Sequence, residues 1–549
     1  MKHETGFTTD TPPTQARFQA RPWIDDGAGA PFLDLTFAQG ETRVRGATEA
    51  FVGHRFFLPG DPRPRGQWGE WAWDGQTLRA GVDPLGYFSL FVYSRGNRIV
   101  VSPSILQILA QDVDASVDPV AMAVFHHVGF FVGDDTPFRH IRVLPVGGRL
   151  EWTQGALRVT DHTPAPKTLS IRRDAAVEAF IEIPRRAIGA FMDHWAGETV
   201  LPLSGGRDSR HVLLEMTAQG RRPTTCLTFH HGGAARNAEV KAASAVATRA
   251  GARHTIMGRP RMRLRDSLRG ILMTQLCADE HAQMMPTHDF LRGSAAAAID
   301  GIGGDILTNP DNWAARFMAH ARAGDFAAIA RDMIDGHCAV VSRPGHQGGA
   351  GALHSPALRE AAIDRMAREI RRHADWPDPY QAFWFYHRTR REIAFTATAV
   401  LGGAGMVFCP YLDPDFVELG LSLPWEVTRD QKLHDDAIAR AFPDFADIPF
   451  AEGFRDDPLP RLRLSRLANA LDTLRVAAMA GPDGALRGMR AALAASPLRR
   501  GPADIYRLHK AFVEGMTGAQ ARHLLALDEA LRAAAPRGDA VVTEVHAHA

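Results

Sequence analysis

The sequence predicts a mixed fold: an antiparallel β region, then an α/β region built on a parallel sheet, and a helical C-terminal part. From about residue 30 to 160, short alternating runs of apolar and polar residues are broken by Gly, Pro and Asp, which is typical of antiparallel strands. From about residue 175, helical patterns alternate with short apolar strands, which indicates βαβ units. The expected fold class is therefore α+β in the first part and α/β in the second.

Length and composition set limits on the domains and on the partners. The chain has 549 residues, more than one hydrophobic core usually serves, so we expect at least two domains. Its formal charge of +1 creates no field that favours nucleic acid or anionic lipid. No segment approaches the roughly 18 apolar residues of a membrane span, and the N-terminus has no apolar signal region. We expect a cytoplasmic protein without nucleic-acid or membrane partners.

Cysteine and lysine usage is informative. The four cysteines, Cys226, Cys277, Cys338 and Cys409, lie far apart without CxxC pairing, which argues against a zinc site or a disulfide framework. Only five of the 63 basic residues are lysine. Arginine therefore serves wherever the chain needs only positive charge, and a retained lysine favours a role for a compact ammonium group.

The elements follow in order. Segments such as "QTLRAGVDPLGYFSLFVYSRGNRIVVSP" predict antiparallel strands, and "DHTPAPKTLSIRRD" at 161–174 predicts a linker. Next come a helix in "AAVEAFIEIPRRAIGAFMDHWAG", strands in "ETVLPLSGG", "RPTTCLTFHH" and "HTIM", and a helix in "ARNAEVKAASAVATRAGARH". From about residue 315 the chain is largely helical. The predicted domains are 1–165, 175–450 and a helical extension at 451–549.

The turn "SGGRDS" at 204–209 carries the strongest local chemistry. It lies where a buried strand becomes a helix, which is where ligands collect in a parallel sheet. Gly205 and Gly206 let the backbone approach a ligand, while Ser204 and Ser209 add hydroxyl groups to the unpaired N–H groups of the helix start. Phosphate would repel Asp208 unless a divalent cation lay between them, so the turn indicates Mg²⁺-bound polyphosphate. The alternative is a plain strand–turn–helix in which Ser204 caps the helix.

This turn resembles the SGGxDS signature of the N-type ATP pyrophosphatases, which cleave ATP between its α and β phosphates to adenylate a substrate. A second segment, "DGIGGDIL" at 300–307, resembles the SGxGxDE(L/I)F loop of asparagine synthetase-type enzymes, in which the aspartate binds magnesium and pyrophosphate. Asp305 takes that position, whereas Ile306 and Thr308 depart from the pattern. The resemblance implies that Asp208 and Asp305 are the Mg²⁺ ligands. The alternative for Asp305 alone is an ordinary turn aspartate.

Further segments extend the resemblance to the asparagine synthetase-like family over roughly residues 75–445. Within "NAEVKAASAVATRAGARHTIM", Glu239, Gly251 and His254 are in register, and "CPYLDPDFVELGLSLP" resembles the family's VPFLD segment. "VDPLGYFSLFVY" and "TPFRHIRVLPVGGRLEW" resemble its glutamine-hydrolysing domain. The resemblance implies a glutaminase-like antiparallel β-sandwich, then an adenine nucleotide α-hydrolase-like synthetase domain in which Leu203 and Thr228 also contact ATP.

One expected residue is missing. Glutamine-dependent members use an N-terminal cysteine as nucleophile, but position 2 is Lys2 and no cysteine precedes Cys226, so the first domain is degenerate. Members without this cysteine include β-lactam synthetase, carbapenam synthetase and the lasso peptide cyclases. These activate a carboxylate as an acyl-adenylate that an amine of the same molecule attacks. Such tethering supplies an effective molarity on the order of 10⁵ M or more.

Candidates for the amide-forming step follow from the same resemblance. The family has a lysine at a nearby helix start, and aligning the segments by their register would put it at Asp436. Lys432 lies one helical turn earlier. Because residues four apart share a helix face, Lys432 could occupy a similar place. The alternative is a solvent-facing Lys432 paired with Asp436. Tyr386 and Glu392 lie about where β-lactam synthetase has a Tyr–Glu pair that deprotonates the amine. The alternative there is a surface salt-bridge cluster.

The resemblance implies an ATP- and Mg²⁺-dependent carbon–nitrogen ligase that forms AMP and pyrophosphate. We favour lasso peptide macrolactam closure, which implies a precursor peptide as substrate and, as partners, a leader peptidase and a precursor-recognition protein. One alternative is a small-molecule enzyme, either an ammonia-dependent asparagine synthetase or a β-lactam synthetase. Another, suggested by Ile306, is a non-catalytic peptide-binding scaffold.

Overall fold

The computed structural model describes residues 13–23, 29–230, 237–258, 263–278, 281–308, 313–336, 355–457 and 505–546, and a few single positions between 471 and 478. The strands are β1 (Arg17–Arg21), β2 (Leu33–Ala38), β3 (Glu41–Gly46), β4 (Glu49–Phe57), β5 (Arg65–Trp73), β6 (Thr77–Val82), β7 (Phe91–Arg95), β8 (Arg98–Ser102), β9 (Ile141–Val143), β10 (Arg149–Thr153), β11 (Ala156–Thr160), β12 (Thr199–Pro202), β13 (Thr225–Thr228), β14 (His254–Met257), β15 (Ala297–Ile299), β16 (Met406–Phe408) and β17 (Val542–His546).

The α-helices are α1 (Ile105–Leu109), α2 (Pro119–Val128), α3 (Arg173–Met192), α4 (Asp208–Ala218), α5 (Ala238–Arg249), α6 (Arg263–Met273), α7 (Met285–Leu291), α8 (Ala314–Arg322), α9 (Phe326–Ile334), α10 (Pro356–Arg371), α11 (Pro379–Trp384), α12 (Pro414–Ser422), α13 (Trp425–Thr428), α14 (Leu433–Ala441), α15 (Ile505–Val513) and α16 (Gly518–Ala533). Phe385–Ile393 and Thr396–Val400 are π-helical. Short 3₁₀ turns lie at Ala282–Met284, Pro410–Leu412, Pro443–Phe445, Ala451–Gly453 and Gly538–Val541.

Two antiparallel sheets form the first part of the chain, as the alternating pattern predicts. Their strand orders are β1-β4-β5-β6-β10-β11 and β3-β2-β8-β7-β9. One apolar cluster joins both sheets, with Leu35 and Val92 from the second sheet and Trp71 and Trp152 from the first. In β10 the side chains alternate between the core and the surface, because successive residues of a strand point to opposite faces.

A third sheet lies in the second part, with the order β16-β15-β12-β13-β14-β17. The strands from β16 to β14 run parallel, and β17 joins β14 in the antiparallel sense. The chain runs outward from β12 through β13 to β14, and then returns to the other side of β12 for β15 and β16. The loops after β12 and β15 therefore flank a topological switch point, where open α/β sheets bind their ligands.

The predicted βαβ elements fall where the sequence placed them. β14 coincides with the predicted strand "HTIM", and α5 occupies the predicted helix before it. The side chain of Asn237 accepts a hydrogen bond from the N–H of Val240 and caps the start of α5. Gly251, with a φ of 62°, ends the turn that follows the helix. The mixed α/β architecture with antiparallel sheets and a parallel sheet is thus present.

The C-terminal part is not purely helical. Besides α15 and α16 it supplies β17, which extends the parallel sheet. Arg522 of α16 donates to the carbonyl of Ala110 at 2.5 Å, so this part also contacts α1. A short strand of five residues gives a weak sequence signal, because its pairing partner lies almost 300 residues away. The domain boundaries stay predictions.

Two further expectations concern cysteines and membranes. Cys226, Cys277 and Cys409 are buried free thiols, and Cys338 lies outside the described residues. Burial raises the pKa of the Cys226 and Cys277 thiols to about 12, which keeps both protonated. Within the described ranges, none of the helices combines the length and the apolar character needed to cross a lipid bilayer.

Candidate functional site

The loop between β12 and α4 is built by its own polar groups. Ser204 N–H donates to Oγ of Ser209 at 3.0 Å, and Gly206 N–H donates to Oγ of Ser204 at 3.1 Å. No side chain caps α4, so the alternative in which Ser204 caps this helix does not hold. The N–H groups of its first turn therefore have no capping side chain as acceptor, which is a condition for an anion site.

Gly205 is required by close packing. A Cβ at this position would lie 2.7 Å from Cβ of Ala451 and 3.1 Å from Cα of Glu239. Its N–H donates to the Glu239 carboxylate, and its carbonyl accepts from Ala451 N–H at 2.9 Å. Glu239 thus has a structural partner here, which explains why the sequence pattern places a glutamate at the start of α5.

The loop after β15 reaches the same place through two glycines. A Cβ at Gly301 would lie 2.7 Å from Cβ of Asp208, and a Cβ at Gly304 would lie 2.7 Å from its Cγ and Oδ1. Only glycine lets the backbone of this loop pass so close to Asp208. The contact brings Asp305 to the crevice that Asp208 occupies. The sequence indicated the aspartates, but it did not indicate that the glycines between them make this contact.

The two carboxylates share an unfavourable environment. Desolvation raises the pKa of the Asp208 carboxyl to about 7, although the N–H of Asp305 and the charge of Arg207 act in the opposite direction. Asp305 faces solvent at the mouth of the crevice, yet the surrounding protein and the negative charge of Asp208 raise its pKa to about 6. A cation between the carboxylates would relieve both effects.

The donor set fits a Mg²⁺ ion that also binds phosphate. Oδ1 of Asp208 is buried, accepts no hydrogen bond of good geometry and lies 3.3 Å from Nδ1 of His434. Burial lowers the pKa of His434 well below its usual value, so its ring is neutral. In the described part of the chain, no group of three or more His, Cys, Asp and Glu side chains forms a metal cage. Mg²⁺ commonly takes one or two carboxylates and completes its shell with water and phosphate oxygens.

Sequence reasoning missed a buried chain of groups beneath Asp208. The hydroxyl of Tyr411 lies 3.0 Å from Nδ1 of His211 and 3.5 Å from the carbonyl oxygen of Asp208. Nε2 of His211 lies 3.6 Å from Glu215, which Arg185 binds with two hydrogen bonds of 2.9 and 3.0 Å. Tyr411 belongs to the "PYLD" segment, which was the available signal. These groups hold the start of α4 in position.

A segment at 448–457 forms one wall of the crevice. Arg207 binds Asp435 and, at 3.0 Å, Glu452. Its guanidinium carbon lies 4.5 Å from the ring centroid of Phe450. Arg210 donates to the carbonyls of Ile448 and Pro449, both at 2.7 Å. The arginines of "SGGRDSR" therefore hold this wall against the loop between β12 and α4.

Lys432 lies directly before a helix that contacts the same crevice. It is exposed and directly precedes α14, whose residues His434 and Asp435 contact Asp208 and Arg207. The alternative pairing with Asp436 is not present, because Asp436 binds Arg173 at 2.7 Å. The position suits a cation that approaches bound phosphate or carboxylate, and its catalytic role stays a prediction.

Tyr386 and Glu392 lie in different surroundings on the π-helical segment Phe385–Ile393. Glu392 is buried and forms an ion pair of 3.1 Å with Arg388. The charge of Arg388 partly opposes the rise in the pKa of Asp305. Tyr386 instead lines a separate cavity beside His373. The alternative of a surface cluster does not hold, because both side chains are almost fully buried. Their action as a pair stays a prediction.

The neighbouring arginines have structural roles. Arg390 donates to the carbonyls of Gly86 at 3.1 Å and Leu144 at 2.6 Å. Arg391 donates to the carbonyls of Gly133 at 2.7 Å and of residue 135 at 2.8 Å. These carbonyls belong to the antiparallel part of the chain. The π-helical segment thus fastens that part to the helices beside the crevice.

Leu203 and Thr228 are buried at the ends of β12 and β13. Oγ1 of Thr228 donates to the carbonyl of Leu203 at 2.6 Å and lies 2.7 Å from Nε2 of His254. The hydroxyl of Thr228 therefore already has its partners, and a nucleotide contact here would use backbone atoms. His254 is one of the residues in register with the family pattern, and its role in the structure is to join these strands.

Neither a scan of protein-family models nor a search of curated proteins returned a match. The crevice is therefore the feature that bears on function. At the switch point of the parallel sheet it combines an uncapped helix start, two neighbouring carboxylates and, beside them, the exposed Lys432.

Proposed function

We propose that the chain is an ATP- and Mg²⁺-dependent carbon–nitrogen ligase that adenylates a substrate carboxylate and joins it to an amine. The observation that carries this proposal is the contact of Gly301 and Gly304 with Asp208, which unites Asp208 and Asp305 at the N-terminus of α4. Two carboxylates beside an uncapped helix start suit a metal-bound pyrophosphate better than either an anion or a cation alone.

On this proposal the residues at 204–209, here called the phosphate loop, bind the nucleotide. The N–H groups at the start of α4 and the hydroxyls of Ser204 and Ser209 bind phosphate oxygens, and Gly205 and Gly206 keep the loop free of side chains. Asp208 and Asp305 would hold Mg²⁺, which when bound offsets the charge of the departing pyrophosphate. Arg207 and Arg210 only position the wall at 448–457.

The chemistry proceeds in two steps. An oxygen of the substrate carboxylate attacks the α-phosphorus of ATP, the bond to the bridging oxygen breaks and pyrophosphate leaves. The amine then attacks the activated carbonyl, loses a proton and expels AMP. Lys432 is the candidate to stabilise negative charge in these steps. Glu392, which pairs with Arg388, is the candidate base that accepts the proton of the amine.

The amine is best supplied by the substrate itself, as in macrolactam closure of a lasso peptide precursor. No cysteine precedes Cys226, so the antiparallel part has no thiol with which to release ammonia from glutamine. A tethered amine needs no ammonia supply and gains a high effective molarity. The partners on this proposal are a leader peptidase and a precursor-recognition protein.

ATP–pyrophosphate exchange tests the proposal. The full chain is assayed with aspartate, with a β-amino acid and with a leader-free precursor peptide, and we expect exchange with the peptide alone. We expect Asp208→Ala to reduce that exchange about 1,000-fold, since it removes a metal ligand. The matched control is Asp364→Ala, an exposed carboxylate on α10 that should have no effect.

Three outcomes would overturn parts of the proposal. Exchange with aspartate, with asparagine as the product, would replace cyclisation by asparagine synthesis, and exchange with the β-amino acid would favour a β-lactam synthetase. If no substrate gave exchange and Asp208→Ala left product formation unchanged in the producing cell, the chain would be a non-catalytic scaffold.

A further inference from the structure

A second cavity lies away from the crevice, between the antiparallel part and the helices. It has a volume of about 250 Å³, and its lining includes Tyr386, His373, Glu369, Arg372 and Asp134. None of the residues of the phosphate loop or of the loop at 300–305 lines it. Its volume is below the roughly 300–1,000 Å³ typical of sites for drug-sized ligands, which limits an occupant to a small molecule.

Hydrogen bonds fix which nitrogen of His373 carries its proton. Gly133 N–H donates to Nδ1 of His387 at 2.9 Å, so that nitrogen is an acceptor. Burial lowers the pKa of His387 well below its usual value and that of His373 to about 3, so both rings are neutral. His387 must then carry its proton on Nε2 and donate it to Nε2 of His373, 2.9 Å away. His373 is left with an N–H at Nδ1.

This N–H and a nearby hydroxyl are buried donors that meet no acceptor. Nδ1 of His373 and the hydroxyl of Tyr386 have no hydrogen-bond partner, and the two side chains are almost fully buried. Their rings stack in parallel, with centroids 5.7 Å apart. Buried polar groups are nearly always paired with protein, water or ligand, so two unpaired donors on residues that line one cavity call for an acceptor there.

The rest of the lining is acidic on balance. Arg372 binds Asp161 at 2.7 Å and Glu369 at 3.4 Å, and Arg390 binds Asp134 at 3.1 Å. These three carboxylates outnumber the two guanidinium groups. Oε2 of Glu369 would lie 3.0 Å from a Cβ at Gly133, whose N–H anchors His387. The cavity thus has one more negative group than its arginines balance, in addition to its two donors.

We propose that this cavity binds a free α-amino acid in its zwitterionic form. The carboxylate of the amino acid accepts hydrogen bonds from the hydroxyl of Tyr386 and from Nδ1–H of His373. Its ammonium group faces Glu369 and Asp134. Desolvation and the charges of Asp134 and Asp135 raise the pKa of Glu369, although Arg372 and Arg365 act in the opposite direction, so an ammonium group would stabilise its charged form. The cavity is a separate site, so this inference does not depend on the ligase chemistry.

Titration calorimetry on the full chain tests the proposal. The standard amino acids are added one at a time, and acetate and methylamine serve as probes of the two halves of the zwitterion. We expect at least one amino acid to bind at least about tenfold more tightly than either half, because each half makes only part of the contacts.

Two variants locate the binding. Tyr386→Phe removes one donor with almost no change in shape, and we expect it to weaken amino-acid binding about tenfold. The control is Tyr93→Phe, another buried tyrosine outside the cavity, which should bind normally. Glu369→Gln should weaken the amino acid but not acetate. Circular dichroism melting curves verify that each variant is folded.

Other results would overturn the inference. If no amino acid binds, the two donors are satisfied by ordered water. If acetate binds as tightly as the best amino acid and Glu369→Gln changes nothing, the cavity is a simple anion site. If Tyr386→Phe retains full affinity while folded, the amino acid binds elsewhere. All of these are measured without ATP, so failure of the ligase proposal would leave them unchanged.

Discussion

The crevice at the switch point and the π-helical segment both hold charged side chains, but these charges have different partners. The guanidinium groups of Arg390 and Arg391 end on backbone carbonyls of the antiparallel part. Asp208 and Asp305 face each other, and both have raised pKa values. Buried guanidinium groups that donate to backbone carbonyls hold a structure together, whereas neighbouring carboxylates with raised pKa values indicate a ligand site.

Two neighbouring residues of the motif "SGGRDS" differ in the same way. Arg207 is held by Asp435, Glu452 and the ring of Phe450, so it belongs to the wall of the crevice. Asp208, its neighbour in sequence, points into the crevice with an oxygen that accepts no hydrogen bond of good geometry. Adjacent residues of one motif thus have different roles, and only their partners distinguish them.

The largest expected effect concerns Arg391 of the π-helical segment. Arg391→Met removes the side-chain donor to the carbonyl of residue 135 and leaves the carbonyl of Gly133 with only the longer bond of 3.4 Å from Arg390, and we expect the free energy of unfolding to fall by about 3 kcal/mol. Urea titration measures it, with the half-exposed Arg79→Met as a control that should change stability by less than about 0.5 kcal/mol. An unchanged stability would show that these hydrogen bonds do not hold the two parts together.

The next effect concerns the contact that forms the crevice. Gly304→Ala places a Cβ 2.7 Å from Cγ of Asp208 and 3.0 Å from Cδ2 of Tyr411, so Asp208 must move. We expect about a thirtyfold loss of pyrophosphate exchange, because a displaced ligand loses its geometry. The control is Gly270→Ala, whose nearest contact would be 3.3 Å. Equal losses in both variants would remove the special role of Gly304.

A smaller effect is expected at Lys432. Lys432→Met should lower the turnover rate about tenfold and leave the melting temperature unchanged, since Lys432 is exposed. Lys432→Arg should restore only part of the rate, because guanidinium is larger and planar. The control is Lys167→Met, another exposed lysine, which pairs with Glu418. Full activity of Lys432→Met would leave Lys432 as a solvent-facing residue.

The smallest effect is a pH dependence of stability in the metal-free protein. Because the folded pKa of Asp208 is raised to about 7, the folded state holds this proton between about pH 4 and pH 7 while the unfolded chain has lost it. The stability associated with the protonated carboxyl is present at low pH and is lost as the pH rises through 7. Asp305, with a pKa of about 6, acts in the same direction.

Melting temperatures of the wild type and Asp208→Asn measure this effect. The variant mimics the protonated carboxyl, so its advantage over the wild type should grow by a few degrees between pH 4 and pH 8. Added Mg²⁺ with pyrophosphate should reduce that advantage at high pH, because only the wild type gains a ligand. If the difference in melting temperature between the two proteins stayed constant across this pH range, the folded pKa of Asp208 would not be raised.

Much of the fold was predictable, and much of the site was not. The strand at His254–Met257 and the helix before it follow from periodicity and from caps such as Asn237, which act within a few residues. Tyr411 and His434 escaped prediction as neighbours of Asp208, because each lies at least 200 residues from it in sequence. The strand β17 escaped for the same reason.

Neighbouring residues are enough to predict the turn chemistry of this chain. The glycine turn, the serines and the carboxylate in the first turn of a helix are all read from adjacent positions, because turn geometry and helix starts are local. Other features follow only from the fold. The fold places Gly304 against Asp208 and Arg207 against the wall of the crevice, and it lines the second cavity with Tyr386 but not with Glu392. Such contacts depend on how distant segments pack, and no local pattern records them.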